Sequence, residues 1–179
     1  MTASTHLAFR RLLFLLGFMG CGKTTVGRAL ARRLGWQFVD LDELIEARAG
    51  RPIVQIFADE GEPTFRRIEH ELLAETLAAS ADHLPRVVAL GGGTFAQIQN
   101  FELIRTEGGL TIWLRCPVEE LRRRCRGITN RPLFCDAASF QELYRRRLPY
   151  YEKADIVIDS GGLKPADVVK KVLALGFFR

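Results

Sequence analysis

Short apolar runs alternate along the chain with longer stretches that carry apolar residues at helical spacing. Runs of this length that stop at glycine, aspartate or a turn are typical of buried strands. They predict five strands, at residues 11–16, 36–40, 86–90, 110–114 and 155–159. Strands that alternate with helices are typical of a parallel sheet covered by helices.

Helical spacing is clearest after the first strand, where Val26, Leu30 and Leu34 recur at intervals of four. Residues at this spacing lie on one side of an α-helix, so this stretch is predicted to pack one face on the sheet. Similar patterns predict helices at residues 23–34, 42–49, 62–79, 117–126, 138–151 and 165–175. Gly50 follows the second of these, as glycine commonly follows a helix.

The order of elements predicts an α/β fold, with a five-stranded parallel sheet and helices on both faces. At 179 residues, the chain is expected to form a single domain spanning residues 1–179. In folds of this class, ligands bind beyond the carboxyl ends of the strands. Functional residues are therefore expected in the segments that follow the strands.

The composition favours an ordinary globular protein and argues against a membrane protein or a zinc protein. The chain is 47% hydrophobic and 26% charged, as is usual for a globular protein. No apolar run approaches the roughly 20 residues needed to span a membrane, so no membrane partner is expected. None of the four cysteines belongs to a C-x-x-C pair, which argues against a zinc site and favours reduced thiols in a cytoplasmic protein.

The net charge of +5 is concentrated in one stretch. Residues 115–153 contain ten basic and five acidic side chains, so their excess of 10 − 5 = 5 equals that of the whole chain. A local excess of this kind indicates an anionic partner such as a phosphate or a carboxylate. A nucleic-acid surface is the alternative, but no aromatic residues interleave with the arginines as stacking platforms would require. No nucleic-acid partner is therefore expected.

Residues 10–25, RRLLFLLGFMGCGKTT, can be interpreted in two ways. Paired arginines, an apolar run and a small residue before cysteine are features of an export signal. The same residues contain Gly17-x-x-x-x-Gly22-Lys23-Thr24, the spacing of a phosphate-binding loop. This loop lies between a predicted strand and a predicted helix, which favours the second interpretation. Lys23 is then expected to reach the outer phosphates of a nucleotide, and Thr24 to ligate Mg²⁺.

Two carboxylates, Asp40 and Asp42, follow the second predicted strand. Side chains two residues apart on an extended chain face the same side. One carboxylate could hold Mg²⁺ while the other accepts a proton from a substrate hydroxyl. The pair could equally serve as a solvated strand end and a helix cap, and both interpretations stay open.

Six motifs in order resemble the shikimate kinases over nearly the full length. They are GFMGCGKT (17–24), FVDLDELIE (38–46), IFADEGEPTFRRIE (56–69), LGGGT (90–94), NRPLF (130–134) and RRRLPYYEKAD (145–155). The resemblance implies a P-loop kinase fold of the nucleoside monophosphate kinase type, with a lid at about residues 127–137 and substrate-binding helices at about 42–80. It implies transfer of the γ-phosphoryl group of ATP to the 3-hydroxyl of shikimate, in aromatic amino-acid biosynthesis. We expect a monomer.

The resemblance also implies roles for individual residues. Those implied to bind ATP are Gly20, Cys21, Gly22, Lys23, Thr24, Thr25, Arg124, Arg131 and Pro165. Those implied to bind shikimate are Asp42, Arg66, Gly91, Gly92, Gly93 and Arg147. Thr24 and Asp40 are implied to serve Mg²⁺. The catalytic residues are implied to be Lys23, Asp42 and Arg131.

Several points stay open at this level. The arginine runs at 122–124 and 145–147 leave the register uncertain by one residue, so Arg146 is the alternative to Arg147. A related small-molecule kinase, such as a gluconate kinase, is the alternative activity, and a catalytically silent nucleotide-binding relative is a third possibility. The pair Thr94-Phe95 and Pro63 depart from the family's usual residues at their positions.

Overall fold

The computed structural model describes residues 11–79, 84–126 and 137–178. These residues contain one five-stranded sheet in the order β2-β3-β1-β4-β5, and every neighbouring pair of strands is parallel. The strands are β1 (Leu12–Leu16), β2 (Gln37–Asp40), β3 (Arg86–Ala89), β4 (Leu110–Arg115) and β5 (Ile156–Asp159). The five strands predicted from the apolar runs are confirmed, with ends that differ by about one residue.

Seven α-helices occupy the described residues. They are α1 (Lys23–Leu34), α2 (Leu41–Ala49), α3 (Ile53–Ala78), α4 (Ile98–Thr106), α5 (Val118–Cys125), α6 (Ala137–Tyr151) and α7 (Pro165–Leu173). Six were predicted in whole or in part, and α4 was not. The apolar pattern missed α4 because only Asn100 and Ile104 of its nine residues are buried.

Helix α3 is longer than predicted and contains a break. Gly61 lies at φ 78° and ψ 175°, outside the helical region, so two helical segments meet there. The second segment begins at Glu62, where the predicted helix 62–79 was expected to start. Pro63 falls in the first turn of that segment, where the missing N–H costs no hydrogen bond.

Helices cover both faces of the sheet, as predicted. Crossovers between parallel strands are right-handed in nearly all proteins, so the direction of each crossover decides its face. The chain moves from β1 to β2 in one direction and then returns through β3, β4 and β5 in the other. Helices α1 and α7 pack together on one face, while α3 packs on α4 on the opposite one.

The central strand β1 places the site. All five of its residues are buried, and it pairs with β3 on one side and β4 on the other. Because the three strands are parallel, their carboxyl ends meet at one edge of the sheet, where the direction of winding reverses. Among the described helices, none is both long enough and apolar enough to serve as a membrane span.

Close packing around β1 gives a test of this arrangement. A Cβ at Gly109, just before β4, would lie 2.2 Å from Cε2 of the buried Phe14 ring in β1. We expect Gly109→Ala to lower the free energy of unfolding by about 1–3 kcal/mol, as overpacking does. Urea denaturation measures the change. In a Phe14→Leu background the same substitution should cost clearly less, and an equal cost in both backgrounds would contradict this packing.

Candidate active site

The loop between β1 and α1 has the backbone of a phosphate-binding loop. Gly17, Gly20 and Gly22 have φ values of 141°, 78° and 98°, which side chains with a Cβ rarely adopt. A Cβ at Gly17 would also lie 2.9 Å from the carbonyl oxygen of Leu114 in β4. No side chain caps the start of α1. Its first N–H groups and its dipole therefore face the space above the loop, where an anion would be stabilised.

Lys23 lies folded over this loop. Its Nζ donates hydrogen bonds to the carbonyl oxygens of Gly17, at 2.9 Å, and Phe18, at 3.2 Å. These carbonyls hold the ammonium group at the mouth of the loop. A lysine placed there sits beside the site where the helix dipole favours negative charge.

Asp40 caps helix α2 and also contacts the first turn of α1. Its Oδ1 accepts hydrogen bonds from the backbone N–H groups of Asp42 and Glu43, so it caps helix α2. Its Oδ2 accepts a 2.6 Å hydrogen bond from Oγ1 of Thr24. A carboxylate and a hydroxyl oxygen are the hard donors that Mg²⁺ prefers, and Mg²⁺ keeps water as its other ligands. The described residues contain no group of three or more His, Cys, Asp or Glu that could hold a metal unaided.

A cleft of about 270 Å³ opens above the loop. Its lining residues are Gly20, Gly22, Lys23, Thr24, Thr25, Asp40, Asp42, Leu90 and Arg124. Of the described residues that were expected at the nucleotide, two do not line this cleft. Cys21 is buried and its N–H donates to the carbonyl oxygen of Phe18, while Pro165 lies at the exposed start of α7.

Arg124 faces the cleft, and the two arginines that precede it face solvent. Arg122 and Arg123 are exposed, whereas Arg124 is half-buried and its Nη1 donates to the carbonyl oxygen of Gly20, at 3.2 Å. Its Nη2 donates to Oε1 of Glu120, at 2.5 Å. Of the three arginines in this run, Arg124, the one expected at the nucleotide, is therefore the one that contacts the loop. Glu120 was not predicted, although it lies one helical turn before Arg124.

The turn after β3 brings a second set of side chains to the same edge. A Cβ at Gly91 would meet Oδ1 of Asp42 at 2.8 Å and Oε1 of Glu69 at 3.0 Å. A Cβ at Gly93 would meet Nη2 of Arg66 at 2.7 Å and Nη2 of Arg147 at 3.1 Å. A Cβ at either position would displace these side-chain ends, whereas the backbone conformation itself does not demand glycine, because neither position is left-handed. The two expected arginines, from α3 and α6, meet at Gly93.

Arg66 is held between two carboxylates. Its Nη1 donates to Oε2 of Glu69 at 2.8 Å, and its Nε and Nη2 donate to Oε1 of Glu62. Burial by itself would lower the pKa of Arg66, but the two carboxylates raise it above its ordinary value. The Arg66 side chain is 14% exposed, so it is not a solvated surface charge.

Glu69 is a buried carboxylate with two partners. Its side chain is fully enclosed, and Thr94 donates a 2.6 Å hydrogen bond to its Oε1. Burial raises the pKa of Glu69 above its ordinary value, while Arg66 and Thr94 oppose that rise. Thr94, one of the departures from the family pattern, thus completes the support of Arg66.

The structure distinguishes Arg147 from Arg146. Arg147 is 8% exposed and its Cζ lies 5.5 Å from the centroid of the Phe18 ring, whereas Arg146 is 73% exposed and pairs with Glu142. Burial lowers the pKa of Arg147 from its ordinary value. The hydroxyl of Tyr151 contributes to this packing and donates to the carbonyl oxygen of Gly92. The expected register therefore brings Arg147 to the site.

Residues 127–136 of the expected lid, with Arg131, lie outside the described residues. The last residue assigned to it, Ala137, is the first of α6. The expected catalytic role of Arg131 stays a prediction.

Replacing the hydroxyl of Thr94 tests the support of Arg66. The pKa of Glu69 is higher in the folded state than in the unfolded state. The protein therefore loses stability as the pH rises above the ordinary glutamate pKa, because Glu69 must then ionise in a buried position. Because Thr94 stabilises the ionised form, we expect Thr94→Val to cost roughly 2 kcal/mol near neutral pH and less at acid pH. Urea denaturation at several pH values measures this, with Thr94→Ser as the control that keeps the hydroxyl. A cost independent of pH would contradict the arrangement.

Comparison with known proteins shows which family the chain resembles. The family model described as shikimate kinase matches residues 19–175. A shikimate kinase of Moorella thermoacetica is 43% identical over 162 residues, which cover 89% of this chain and 91% of that protein. The structure of shikimate kinase from Acinetobacter baumannii in complex with shikimate superposes with a TM-score of 0.84 at 36% identity, covering 92% of this chain and 91% of that one.

A sugar-acid kinase shares the fold at a greater distance. A gluconokinase from Sinorhizobium meliloti superposes with a TM-score of 0.61 at 20% identity, covering 93% of this chain and 91% of that one. Likeness at this identity concerns the fold alone. The match to residues 19–175 and the extent of the identity show that this chain belongs to the shikimate kinase family.

Proposed function

We propose that the protein transfers the γ-phosphoryl group of ATP to the 3-hydroxyl of shikimate, producing shikimate 3-phosphate. The observation that carries this proposal is the pairing of two sites at one edge of the sheet. A phosphate-binding loop follows β1, and two arginines meet at the glycine turn after β3. The relative whose structure was solved in complex with shikimate supports the same acceptor.

Arg66 and Arg147 bind the carboxylate of the acceptor in this proposal. Shikimate is a small ring acid with one carboxylate and three hydroxyls. Guanidinium groups match a carboxylate with paired N–H donors, which an ammonium group cannot do. Two cations that crowd around Gly93 are stabilised when a carboxylate neutralises them, the more so because Arg147 is buried.

Asp42 orients the acceptor hydroxyl and takes its proton. Asp42 lies against Gly91, and the arginines lie against Gly93. Three consecutive residues span at most about 7 Å between their first and last Cα atoms, a distance comparable with the size of a six-membered ring acid. A carboxylate at one end and two guanidiniums at the other suit a ring acid whose acceptor hydroxyl lies two ring carbons away from the carbon that bears the acid group.

Positive charge on the nucleotide side comes from Lys23 and, we propose, from Arg131. Phosphoryl transfer spreads negative charge over the oxygens of the moving group, and fixed cations stabilise it. Thr24 and Asp40 would hold Mg²⁺, whose chemistry when bound is to neutralise phosphate charge. Gly20, Gly22 and Thr25 line the same cleft and contact the nucleotide in this proposal. Arg124 and Pro165 lie beside the adenine, and Cys21 contributes only loop backbone.

We propose a monomeric enzyme of the cytoplasm. Cys21, Cys116 and Cys125 are buried thiols and form no disulfide within the described part of the chain. Burial raises the pKa of the Cys116 thiol to about 11, so this thiol stays protonated and unreactive near neutral pH. Reduced, protected thiols are usual in the cytoplasm.

An ADP-release assay with a panel of acceptors tests the activity. Purified protein with Mg·ATP should release ADP with shikimate and only at background rates with gluconate or nucleoside monophosphates. Lys23→Met, which removes a cation beside the phosphates, should lower kcat by about 10²-fold or more. Turnover of gluconate at the shikimate rate, or an active Lys23→Met variant, would contradict the proposal.

Two adjacent arginines provide a matched test of the carboxylate site. Arg147→Ala removes a buried cation that faces Gly93, and we expect the KM for shikimate to rise about 10- to 100-fold, the scale of a hydrogen-bonded charge. The KM for ATP should change by no more than a few-fold. Arg146→Ala, one residue away on the exposed side of α6, should leave both constants unchanged. Steady-state kinetics measure all three proteins, and equal effects from the two substitutions would contradict the assignment.

A further inference from the structure

Glu120 joins three segments that surround the nucleotide side of the cleft. Its Oε1 accepts the hydrogen bond from Nη2 of Arg124, and its Oε2 accepts one from the backbone N–H of Gly162, at 2.9 Å. Arg124 in turn donates to the carbonyl oxygen of Gly20 in the phosphate-binding loop. One carboxylate thus connects α5, the segment between β5 and α7, and the loop below them.

Each carboxylate oxygen of Glu120 accepts one of these two hydrogen bonds. Its side chain is only 15% exposed, although it lies on a short surface helix. Burial by itself would raise the pKa of Glu120, but the N–H of Gly162 and the cation of Arg124 lower it below its ordinary value. The carboxylate is therefore ionised near neutral pH and accepts both hydrogen bonds in charged form.

The segment beyond β5 lies close against α5 at this point. A Cβ at Gly161 would be 2.6 Å from Cδ of Pro117 and 3.4 Å from Oε2 of Glu120. Gly162 follows with a left-handed φ of 68°, which turns its N–H toward the carboxylate. The packing leaves no room for a side chain at Gly161, and Glu120 provides the polar contact that holds the turn.

We propose that Glu120 is a positioning residue for the nucleotide base. It fixes the guanidinium plane of Arg124 on one side of the base and the segment leading to Pro165 on the other. Arg124 alone could rotate about its long side chain, and ordering such a side chain costs entropy. The hydrogen bonds to Glu120 and Gly20 order Arg124 before the nucleotide binds, so the nucleotide meets a preorganised side chain. This inference rests on the proposed function, because it takes the cleft to be the ATP site.

The test compares two acidic residues that are adjacent on α5. Glu120→Gln keeps the size, but its amide offers one acceptor oxygen where two donors must be met. Glu120→Asp keeps the charge, but it is one methylene shorter and cannot reach both donors. Glu119→Gln, on the exposed neighbour, removes the same charge and serves as the control. The Kd for ADP is measured by calorimetry and the KM values for ATP and shikimate by steady-state kinetics.

We expect both Glu120 variants to raise the Kd for ADP and the KM for ATP about 10-fold, the scale of one hydrogen bond to a charged group. The KM for shikimate and kcat should stay within about three-fold of wild type, and Glu119→Gln should match wild type throughout. Wild-type affinity for ADP in folded Glu120 variants would overturn the proposal. So would an equal rise in both KM values, or the failure of both variants to fold, since each would make Glu120 a general structural residue.

The ADP measurement also separates this inference from the proposed activity. Calorimetry needs no acceptor, so it reports on the base site even if shikimate is not the substrate. Wild-type protein that binds ADP but does not phosphorylate shikimate would refute the activity and leave the Glu120 inference standing. If wild-type protein phosphorylates shikimate and the Glu120 variants bind ADP normally, the Glu120 inference is refuted and the activity stands.

Discussion

The convergence of two guanidinium groups at Gly93 is the constraint on which the rest of the site depends. Arg66 comes from α3 and Arg147 from α6, and each has a nitrogen about 3 Å from the point where a Cβ of residue 93 would lie. Burial lowers the pKa of Arg147 and the charge of Arg66 lowers it further, because neighbouring like charges repel each other. The fold must therefore supply compensating groups, and each of them is visible around the pair.

Different groups compensate each cation. Arg66 has two carboxylates, one fully buried and supported by Thr94. Arg147 has the face of the Phe18 ring and the hydroxyl-bearing ring of Tyr151 beside it. Because Phe18 belongs to the phosphate-binding loop, Arg147 packs directly against that loop. A bound carboxylate would complete this neutralisation, as the proposed role of the pair requires.

Local features of the site could be predicted from the sequence, and long-range ones could not. The phosphate-binding loop is recognisable because its spacing is contained within eight residues between a strand and a helix. The meeting of Arg66 and Arg147 was expected only through the family resemblance, since nothing local in either helix specifies a shared position. Glu120 was missed for a similar reason: its contact with Gly162 spans 42 residues. Helix α4 was missed because so few of its residues are buried that the apolar pattern is weak.

The most direct measurement of the central claim compares shikimate with its methyl ester as phosphoryl acceptors. The ester keeps the ring and all three hydroxyls and loses only the negative charge that the two arginines are proposed to bind. Buried polar groups left without a partner discriminate strongly against such an analogue. The account predicts that kcat/KM for the ester is lower by about 10²-fold or more, with an unchanged KM for ATP. Equal kcat/KM values for the acid and the ester would contradict it.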